Sequence, residues 1–272
     1  MIREKHLNNI VVKPLVNADS VDITKIKGGN LFSEIYNVSY LCARRKSGKT
    51  SVLAEILKRT SSKKTTIWIF CPTYRIDPSW IQIVEMLEAR GCTVNCFDSM
   101  MEGKTNLLDE IVTDLSQVEE PKKDPVDQKI ILPVKMLFDV PEEKKKKEYK
   151  PKKLAPEHIF VFDDISNELK NPALLSLCKK SRHLKSAVYI SSQYMNDLLP
   201  QTLKQLSYFI CFRSMTRDKL EHIYKMLDLS LDEEKFYEIY DFATRDPYSF
   251  MYVDMKNQTY RKNFNKVIDM DE

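Results

Sequence analysis

The stretch LCARRKSGKT, residues 41–50, decides how the rest of the chain is interpreted. Its last three residues, GKT, complete the phosphate-loop pattern G-x-x-x-x-G-K-[ST], but Ala43 stands where the pattern has its first glycine. An alanine fits that position as long as its φ angle is negative. The basic residues 44–46 also allow a plainer interpretation, a lysine-rich turn, and a GKT match alone does not separate the two.

The residues on either side of this stretch favour a phosphate loop. Residues 35–42 are β-prone, and residues 49–60 have the apolar periodicity of a helix. A loop between a strand and a helix N-terminus directs backbone N–H groups at phosphate oxygens. In that arrangement Lys49 contacts the phosphates, the Thr50 hydroxyl coordinates Mg²⁺, and Gly48 avoids a Cβ that would obstruct the turn. The residues predicted to contact the nucleotide are Ala43, Lys46, Ser47, Gly48, Lys49, Thr50 and Ser51.

A second motif, IFVFDD, occupies residues 159–164. Four apolar residues followed by an aspartate form a Walker B pattern, in which Asp163 faces the Mg²⁺ shell. Asp164 then stands where P-loop ATPases of the additional-strand class place the carboxylate that activates water. An acidic turn after a core strand would explain this motif alone. The two motifs in this order favour a nucleotide site.

Two further candidates flank a strand predicted over residues 187–192. Ligands of open α/β sheets bind at the carboxyl ends of the strands, so Gln193 is predicted to sense the γ-phosphate or orient the attacking water; the alternative is a surface glutamine. Arg182 precedes the strand and is a candidate arginine finger for a neighbouring subunit. Its rivals are Arg213 and Arg217, and ion pairing with local acidic residues is the structural alternative.

The order of the predicted elements indicates an α/β fold. Apolar strands alternate with helices, two of which start at a capping residue followed by proline, Asp77-Pro78 and Asn171-Pro172. This alternation predicts a mostly parallel sheet with helices on both faces. A hairpin with strands over residues 249–255 and 258–264 is predicted to follow the last helix. The helix that starts at Pro78 is expected to carry its apolar face on Ile81, Val84, Met86 and Leu87.

Composition and charge suit one large domain with a soluble surface. The 272 residues are 43% hydrophobic and 30% charged, with a net charge of +4. Residues 1–30 are predicted to be an N-terminal arm and residues 31–272 a P-loop ATPase domain with a lysine-rich insertion at about 120–157, in which residues 130–132 could form a short strand. We find no membrane span and no secretion signal. The six cysteines suit buried thiols rather than disulfides or a zinc site.

Taken together, the motifs resemble the genome-packaging ATPases of poxviruses, other large DNA viruses, virophages and related transposons, which belong to the FtsK–HerA superfamily. The resemblance spans roughly residues 36–215. It rests on the GKT and IFVFDD motifs, on SRHL at 181–184, on SSQY at 191–194 and on LLPQTLKQLSYFICF at 198–212. It implies an additional-strand (RecA/FtsK-like) P-loop NTPase core that uses ATP and Mg²⁺.

The resemblance also implies a function and roles for individual residues. The implied activity is ATP-driven translocation of double-stranded DNA into a preformed capsid by a homo-oligomeric ring. Lys49 and Thr50 would bind nucleotide and Mg²⁺, Asp163 the metal, Asp164 would be the catalytic base and Gln193 the sensor. A capsid or portal-vertex protein is the further implied partner, and the host cytoplasm (virus factory) and the virion are the implied locations. Ala43 departs from the family pattern, as does Asp164, where many relatives have glutamate.

Other functions are compatible with part of the pattern. A helicase would usually need a second motor lobe, for which 272 residues leave no room. A terminase-like DNA-dependent ATPase would carry a nuclease domain, but the C-terminal residues show no convincing carboxylate cluster. A non-hydrolysing nucleotide-binding capsid scaffold would not need the paired aspartates, and a small-molecule kinase would need an arginine-rich lid after them. DNA contacts are predicted at two basic stretches, residues 144–153 and 260–266, although the first could equally be a solvated tether.

Overall fold

The computed structural model describes residues 21–118 and 153–269. Within those ranges nine strands form one sheet, and two short strands form a separate ribbon. The strands of the sheet are β1 (Val38–Cys42), β2 (Thr66–Phe70), β3 (Thr93–Phe97), β6 (His158–Asp163), β7 (Ser186–Ser192), β8 (Tyr208–Phe212), β9 (Phe250–Asp254), β10 (Thr259–Lys262) and β11 (Lys266–Ile268). The ribbon consists of β4 (Met101–Glu102) and β5 (Thr105–Asn106).

The order of strands across the sheet is β11-β10-β9-β8-β1-β7-β6-β2-β3. The six strands from β8 to β3 run parallel, whereas β9, β10 and β11 continue the sheet as an antiparallel extension. Strand β7 lies between β1, which leads into the P-loop, and β6, which ends at Asp163. This inserted strand is the feature that gives the additional-strand class its name. The predicted fold class is confirmed.

Helices cover both faces of the sheet, as predicted. They are α1 (Lys49–Thr60), α2 (Pro78–Ala89), α3 (Leu107–Val118), α4 (Pro172–Lys180), α5 (Pro200–Leu203), α6 (Arg217–Leu227) and α7 (Glu233–Ala243). Helices α1 and α2 contribute Leu53 and Leu87 to the buried cluster on one face, and α4 contributes Leu174 to the cluster on the other. Successive strand residues point to opposite faces, so Val161 belongs to the first cluster and Phe162 to the second.

The two cap-and-proline signals mark real helix starts. The side chain of Asp77 accepts a hydrogen bond from Ser79 N, and Asn171 does the same for Ala173 N. The predicted apolar face of α2 was wrong in part, because Ile81 is 39% exposed. The buried residues of this helix are Trp80, Ile83 and Leu87, which recur at the 3–4 residue spacing of one helix face.

The C-terminal part of the chain extends the sheet beyond the predicted hairpin. Strands β9 and β10 confirm the hairpin, and β11 is an additional strand that the sequence analysis did not predict.

Near the start of the described chain, Lys27 N donates to Leu154 O at 2.7 Å, and Leu154 N donates to Lys25 O at 2.7 Å. Residues 1–20 of the predicted arm lie outside the described residues. The lysine-rich stretch 144–153 and the short strand predicted at 130–132 do so as well, except for Lys153.

All six cysteines are free thiols, and five of them are buried, Cys96 being half-buried. Burial raises the pKa of Cys42 and of Cys178 to about 12, and those of Cys71 and Cys96 to about 11. The cysteines therefore act as small apolar side chains, as predicted. Across residues 21–118 and 153–269, no helix has the length and apolar character needed to cross a bilayer.

Candidate functional site

The predicted P-loop lies at the carboxyl edge of the parallel strands, between β1 and α1. Its first residue, Ala43, is fully buried and does not adopt a positive φ angle. The backbone N–H of Ala43 donates to Ser192 O at 3.0 Å, which ties the start of the loop to the end of β7. The methyl group therefore belongs to the buried cluster that includes Leu41 and Leu53, and the backbone carries no strain from a positive φ angle. This explains how alanine replaces the first glycine of the pattern.

Gly48 has the backbone conformation that makes glycine necessary at this point of the loop. Its φ angle is +93°, in the left-handed region, and it is the N-cap residue of α1. No side chain caps the first turn of this helix, so its N–H groups remain available to an anion. Ser47 Oγ is buried and has no hydrogen-bond partner among the described residues. Unpaired donors of this kind fit a phosphate group.

Lys49 joins the loop to both predicted carboxylates. Its ammonium Nζ lies 2.7 Å from Asp164 Oδ1 and 3.1 Å from Asp163 Oδ1. Burial disfavours the charged form of Lys49, but the two carboxylates outweigh this effect and raise the pKa of the lysine above its ordinary value. Lys49 is therefore a cation at neutral pH although it is only 8% exposed. A buried ammonium at a helix N-terminus is suited to contact phosphate oxygens.

Asp163 is held in place by a residue that the sequence analysis missed. The side chain of Asp163 is buried, and its Oδ2 accepts a hydrogen bond of 3.0 Å from the indole Nε1 of Trp80, itself fully buried on α2. One carboxylate oxygen is thus fixed by Trp80, while the other faces Lys49. The orientation of Asp163 is set by two different elements, α1 and α2.

The residues present fit a Mg²⁺ ion that is held jointly with phosphate groups. In the described part of the chain no cluster of three or more His, Cys, Asp or Glu could hold a metal ion alone. Mg²⁺ usually binds to proteins through one or two carboxylates together with substrate phosphates and water. Asp163 can supply the carboxylate and Thr50, in the first turn of α1, the hydroxyl. We keep both as the predicted metal ligands.

Four of the eight described non-glycine residues with a left-handed backbone conformation lie around the P-loop and the ends of β6 and β8. Lys46 lies in the P-loop, Asp164 follows β6, Ser214 follows β8, and Tyr248 precedes β9, which pairs antiparallel with β8. Their φ angles are +62°, +57°, +76° and +59°. Such conformations cost about 1–3 kcal/mol each and concentrate at functional sites. Because Lys185 and Gln258 adopt the same conformation at the opposite edge, the support for a site here comes from Lys46 and Asp164, which are predicted site residues.

The structure brings Gln193 to this edge as well. Cys42 pairs in register with Ser192, so Gln193 lies beside the first residue of the P-loop. Gln193 is one of the residues that line a cavity of about 250 Å³ together with Cys42, Tyr194, Met215 and Lys219, among others. Ser192, the residue before it, is fixed by hydrogen bonds to Tyr40 Oη at 2.6 Å and to Asp197 Oδ2 at 2.7 Å. These hydrogen bonds anchor the residue that precedes Gln193.

Arg182, by contrast, lies at the opposite edge of the sheet. It precedes the first residue of β7, and its carbonyl oxygen accepts a hydrogen bond from Lys185 N at 3.1 Å. Seven residues of β7 separate this edge from Gln193, a distance of about 20 Å. The guanidinium is 3.9 Å from Glu34 and largely exposed. Arg182 is therefore too far from the P-loop of its own chain to contact a nucleotide there.

The two rival arginines lie at the carboxyl edge. Arg213 directly follows β8 and is exposed; it makes no ion pair with the residues that the structure describes. Arg217 begins α6, and its guanidinium lies 3.2 Å from the centroid of the Tyr237 ring. This cation–π contact occupies the side chain of Arg217. Of the two, Arg213 is the one whose side chain is available.

The hydrogen bond from Trp80 to Asp163 gives a first testable prediction. Trp80→Phe leaves a buried carboxylate oxygen without its donor, which should lower the free energy of unfolding by about 1–3 kcal/mol in addition to the effect of the smaller ring. Trp68→Phe is the matched control, because the indole Nε1 of Trp68 has no partner among the described residues. Urea denaturation measures both variants.

A double-mutant cycle separates the hydrogen bond from the lost volume. Combining Trp80→Phe with Asp163→Ala, which removes the acceptor, should give a coupling energy of about 1 kcal/mol or more. The pair Trp68→Phe and Asp163→Ala should give none. Equal coupling for both tryptophans would show that Trp80 does not hold the carboxylate.

Comparison with known proteins supports the fold. The genome packaging NTPase B204 from Sulfolobus turreted icosahedral virus 2, solved with AMP, has a TM-score of 0.52 and 16% identity over 87% of this chain and 98% of that chain. The DNA-packaging ATPase B204 from Sulfolobus turreted icosahedral virus has a TM-score of 0.52 and 15% identity over the same shares. No family model and no curated protein matches the sequence. At these identities, the similarity shows a shared fold.

Proposed function

We propose that this chain is an ATPase of the FtsK–HerA superfamily that translocates double-stranded DNA and packages a viral genome into a preformed capsid. The observation that carries the proposal is the contact of a buried lysine at the N-terminus of α1 with two carboxylates at the end of β6, Lys49 with Asp163 and Asp164. This constellation matches the needs of phosphoryl transfer, namely a cation for the phosphates, a metal ligand and a base. Two proteins with the same fold are viral genome-packaging ATPases.

The residues divide the work of ATP hydrolysis. The backbone of residues 43–51 and Lys49 would bind the phosphates, and Thr50 with Asp163 would hold Mg²⁺, which neutralises charge developing on the phosphates. Asp164 would accept the proton of the attacking water; its side chain is 40% exposed, so water can reach it. Gln193 would orient that water or sense the γ-phosphate. The burial of Lys49 and Asp163 excludes bulk water from the phosphate side and strengthens their electrostatic effect.

The two basic stretches predicted to contact DNA differ in how much of them the structure describes. Most of residues 144–153 lie outside the described residues, so this stretch remains a prediction from charge. In the stretch 260–266, Lys262 pairs with Asp246, and half-buried Arg261 lies over the Tyr252 ring, with its guanidinium carbon 4.9 Å from the ring centroid. Lys266 is the exposed cation of the stretch. Contacts with phosphates would be largely independent of sequence, as a packaging motor requires. The same proposal includes a capsid or portal-vertex protein as a partner and the virus factory of the host cytoplasm as the location.

One titration tests hydrolysis, assembly and coupling to DNA together. The ATPase rate is measured at increasing protein concentration, with and without double-stranded DNA. A motor that works as a ring should show a rate per subunit that rises with protein concentration and rises further with DNA. Hydrolysis without any response to DNA would contradict translocation, and binding of ATP without hydrolysis would favour the capsid scaffold. Response to single-stranded but not to double-stranded DNA would favour a helicase.

Arg182 is proposed as a finger that acts on a neighbouring subunit, since it lies at the edge opposite to its own P-loop. Loss of such a finger costs about 10³-fold or more in rate. Arg182→Ala and Lys49→Ala should each be inactive alone. In an equal mixture, about a quarter of the interfaces in a head-to-tail ring combine an intact P-loop with an intact arginine. The mixture should therefore regain measurable ATPase activity.

Sizing of the mixture provides the control for this experiment. A mixture that co-assembles but stays inactive would exclude action in trans by Arg182. Arg213→Ala would then be mixed with Lys49→Ala in the same way, because Arg213 is the available arginine at the carboxyl edge. If Arg182→Ala alone is as active as the unmodified protein, Arg182 is not a finger, and its role is limited to the ion pair with Glu34.

A further inference from the structure

The position of the two carboxylates indicates how a bound nucleotide would be oriented across the sheet. Asp163 and Asp164 lie at the end of β6, which is separated from β1 by β7. If the proposed function holds, the terminal phosphate of a bound nucleoside triphosphate faces these carboxylates. The remainder of the nucleotide must then leave the loop on the other side of β1. That side is formed by β8 and β9.

Tyr248 is the residue that the structure places on that side of the loop. It lies two residues before β9, and Phe250, the first residue of β9, pairs with Phe212, the last residue of β8. A Cβ on Gly48 would be 3.4 Å from Tyr248 Cδ1 and 3.9 Å from Tyr248 Cβ. The tyrosine therefore adjoins the glycine of the P-loop itself.

The ring of Tyr248 is available to a ligand. The residue is 72% exposed, and its ring makes no aromatic contact within the part of the chain that the structure describes. Its backbone is nevertheless fixed, because Ser249 N and Ser249 Oγ both donate to Asp246 O, at 3.2 Å and 2.6 Å. The φ angle of +59° at Tyr248 adds strain to this turn. A strained turn that holds an exposed aromatic ring against the P-loop calls for a functional explanation.

We propose that Tyr248 binds the base of the nucleotide by stacking. This proposal rests on the proposed function and adds the residue that contacts the part of ATP beyond its phosphates. A planar base can cover the free face of the ring while the phosphates lie on Gly48 and Lys49. Every base has a π-face, so stacking gives affinity with little selectivity among bases. The site should therefore accept other nucleoside triphosphates beside ATP.

The test compares two ligands that share the phosphates but differ in the base. Binding of Mg-ATP and of Mg-tripolyphosphate to the full chain is measured by calorimetry. Tyr248→Ala should weaken ATP binding about tenfold, the order expected for a base on an aromatic ring, and leave tripolyphosphate binding unchanged. Tyr248→Phe should bind both ligands like the unmodified protein, because it keeps the ring.

Two further variants separate this proposal from the proposed function. Lys49→Ala should lose both ligands; if it binds both normally, the P-loop assignment fails, whatever Tyr248 does. Tyr194→Ala truncates a tyrosine of similar exposure (52%) at the end of β7, on the carboxylate side of β1, and should not affect the preference for ATP. An equal loss of ATP and tripolyphosphate in Tyr248→Ala would overturn the proposal. A selective loss of ATP in Tyr194→Ala would overturn it too, by reversing the direction of the nucleotide.

Discussion

Lys49→Ala is expected to reduce ATP turnover by about 10³-fold or more, to the background of the assay. The variant removes the only group that joins the P-loop to both carboxylates by a direct ion pair among the described residues. Without the ammonium, the negative charges of Asp163 and Asp164 face the phosphates unopposed. Substrate binding and transition-state stabilisation are therefore lost together. Steady-state phosphate release over a range of ATP concentrations measures the effect.

Lys58→Ala is the matched control for this variant. Lys58 lies on the same helix as Lys49, but it is exposed, and within residues 21–118 and 153–269 it pairs only with Glu55, at 3.9 Å. Its removal should leave turnover unchanged. Because Lys49→Ala also leaves the buried Asp163 without its cation, circular dichroism must show that the variant is folded before its turnover is compared. Near-normal turnover of folded Lys49→Ala would reduce the GKT stretch to a lysine-rich turn.

Asp164→Asn is expected to lower turnover by about 10²–10⁴-fold while the variant still binds Mg-ATP. The amide keeps the shape of the side chain and can still accept a hydrogen bond from Lys49, but it cannot take a proton from water. Asparagine also tolerates the left-handed backbone that residue 164 adopts, with φ of +57°. The variant should therefore change the chemistry without disturbing the loop. Mg-ATP binding and ATP turnover are measured separately, because only turnover is expected to fall.

Asp163→Asn is the informative comparison, because it alters the neighbouring carboxylate by the same change. Asp163 is the buried residue that Trp80 holds and is the predicted metal ligand. Its substitution should weaken nucleotide binding when Mg²⁺ is present and have little effect when Mg²⁺ is chelated. If both variants lose binding to the same extent, the roles of the two carboxylates have been assigned wrongly.

Most of the fold could be predicted because its signals are local. Strands β6 and β7 contain the apolar runs 159–162 and 187–190, each followed by polar residues, and β1 is β-prone. The carboxyl ends of parallel strands lie at one edge. This rule alone brings the P-loop, Asp163 and Gln193 together. The additional strand followed from the resemblance, and the strand order confirms it. Buried Ala43 shows why a departure from the pattern at one position did not change the fold.

The features that could not be predicted from the sequence depend on contacts between distant parts of the chain. Trp80 reaches Asp163 only because α2 packs beside the end of β6, and no local pattern in residues 77–90 shows that contact. Tyr248 reaches Gly48 only because β9 pairs with β8. The prediction for α2 placed Ile81 on the apolar face, because hydrophobicity alone does not show which of two adjacent apolar residues faces the core. Arg182 is close to Gln193 in sequence but a full strand away in space.

The buried thiols make the native chain a chemical reporter of its own opening. The thiolate is the nucleophile that attacks an alkylating reagent, and at pH 7 a thiol with a pKa of about 12 is ionised in only about one molecule in 10⁵. We therefore expect Cys42, which ends the strand before the P-loop, to react much faster when β1 opens to solvent than in the closed chain. A ligand that binds the closed form should slow its alkylation in proportion to occupancy. Cys178, buried on α4 in the same hydrophobic cluster as Cys42, provides the internal reference, and no label has to be introduced.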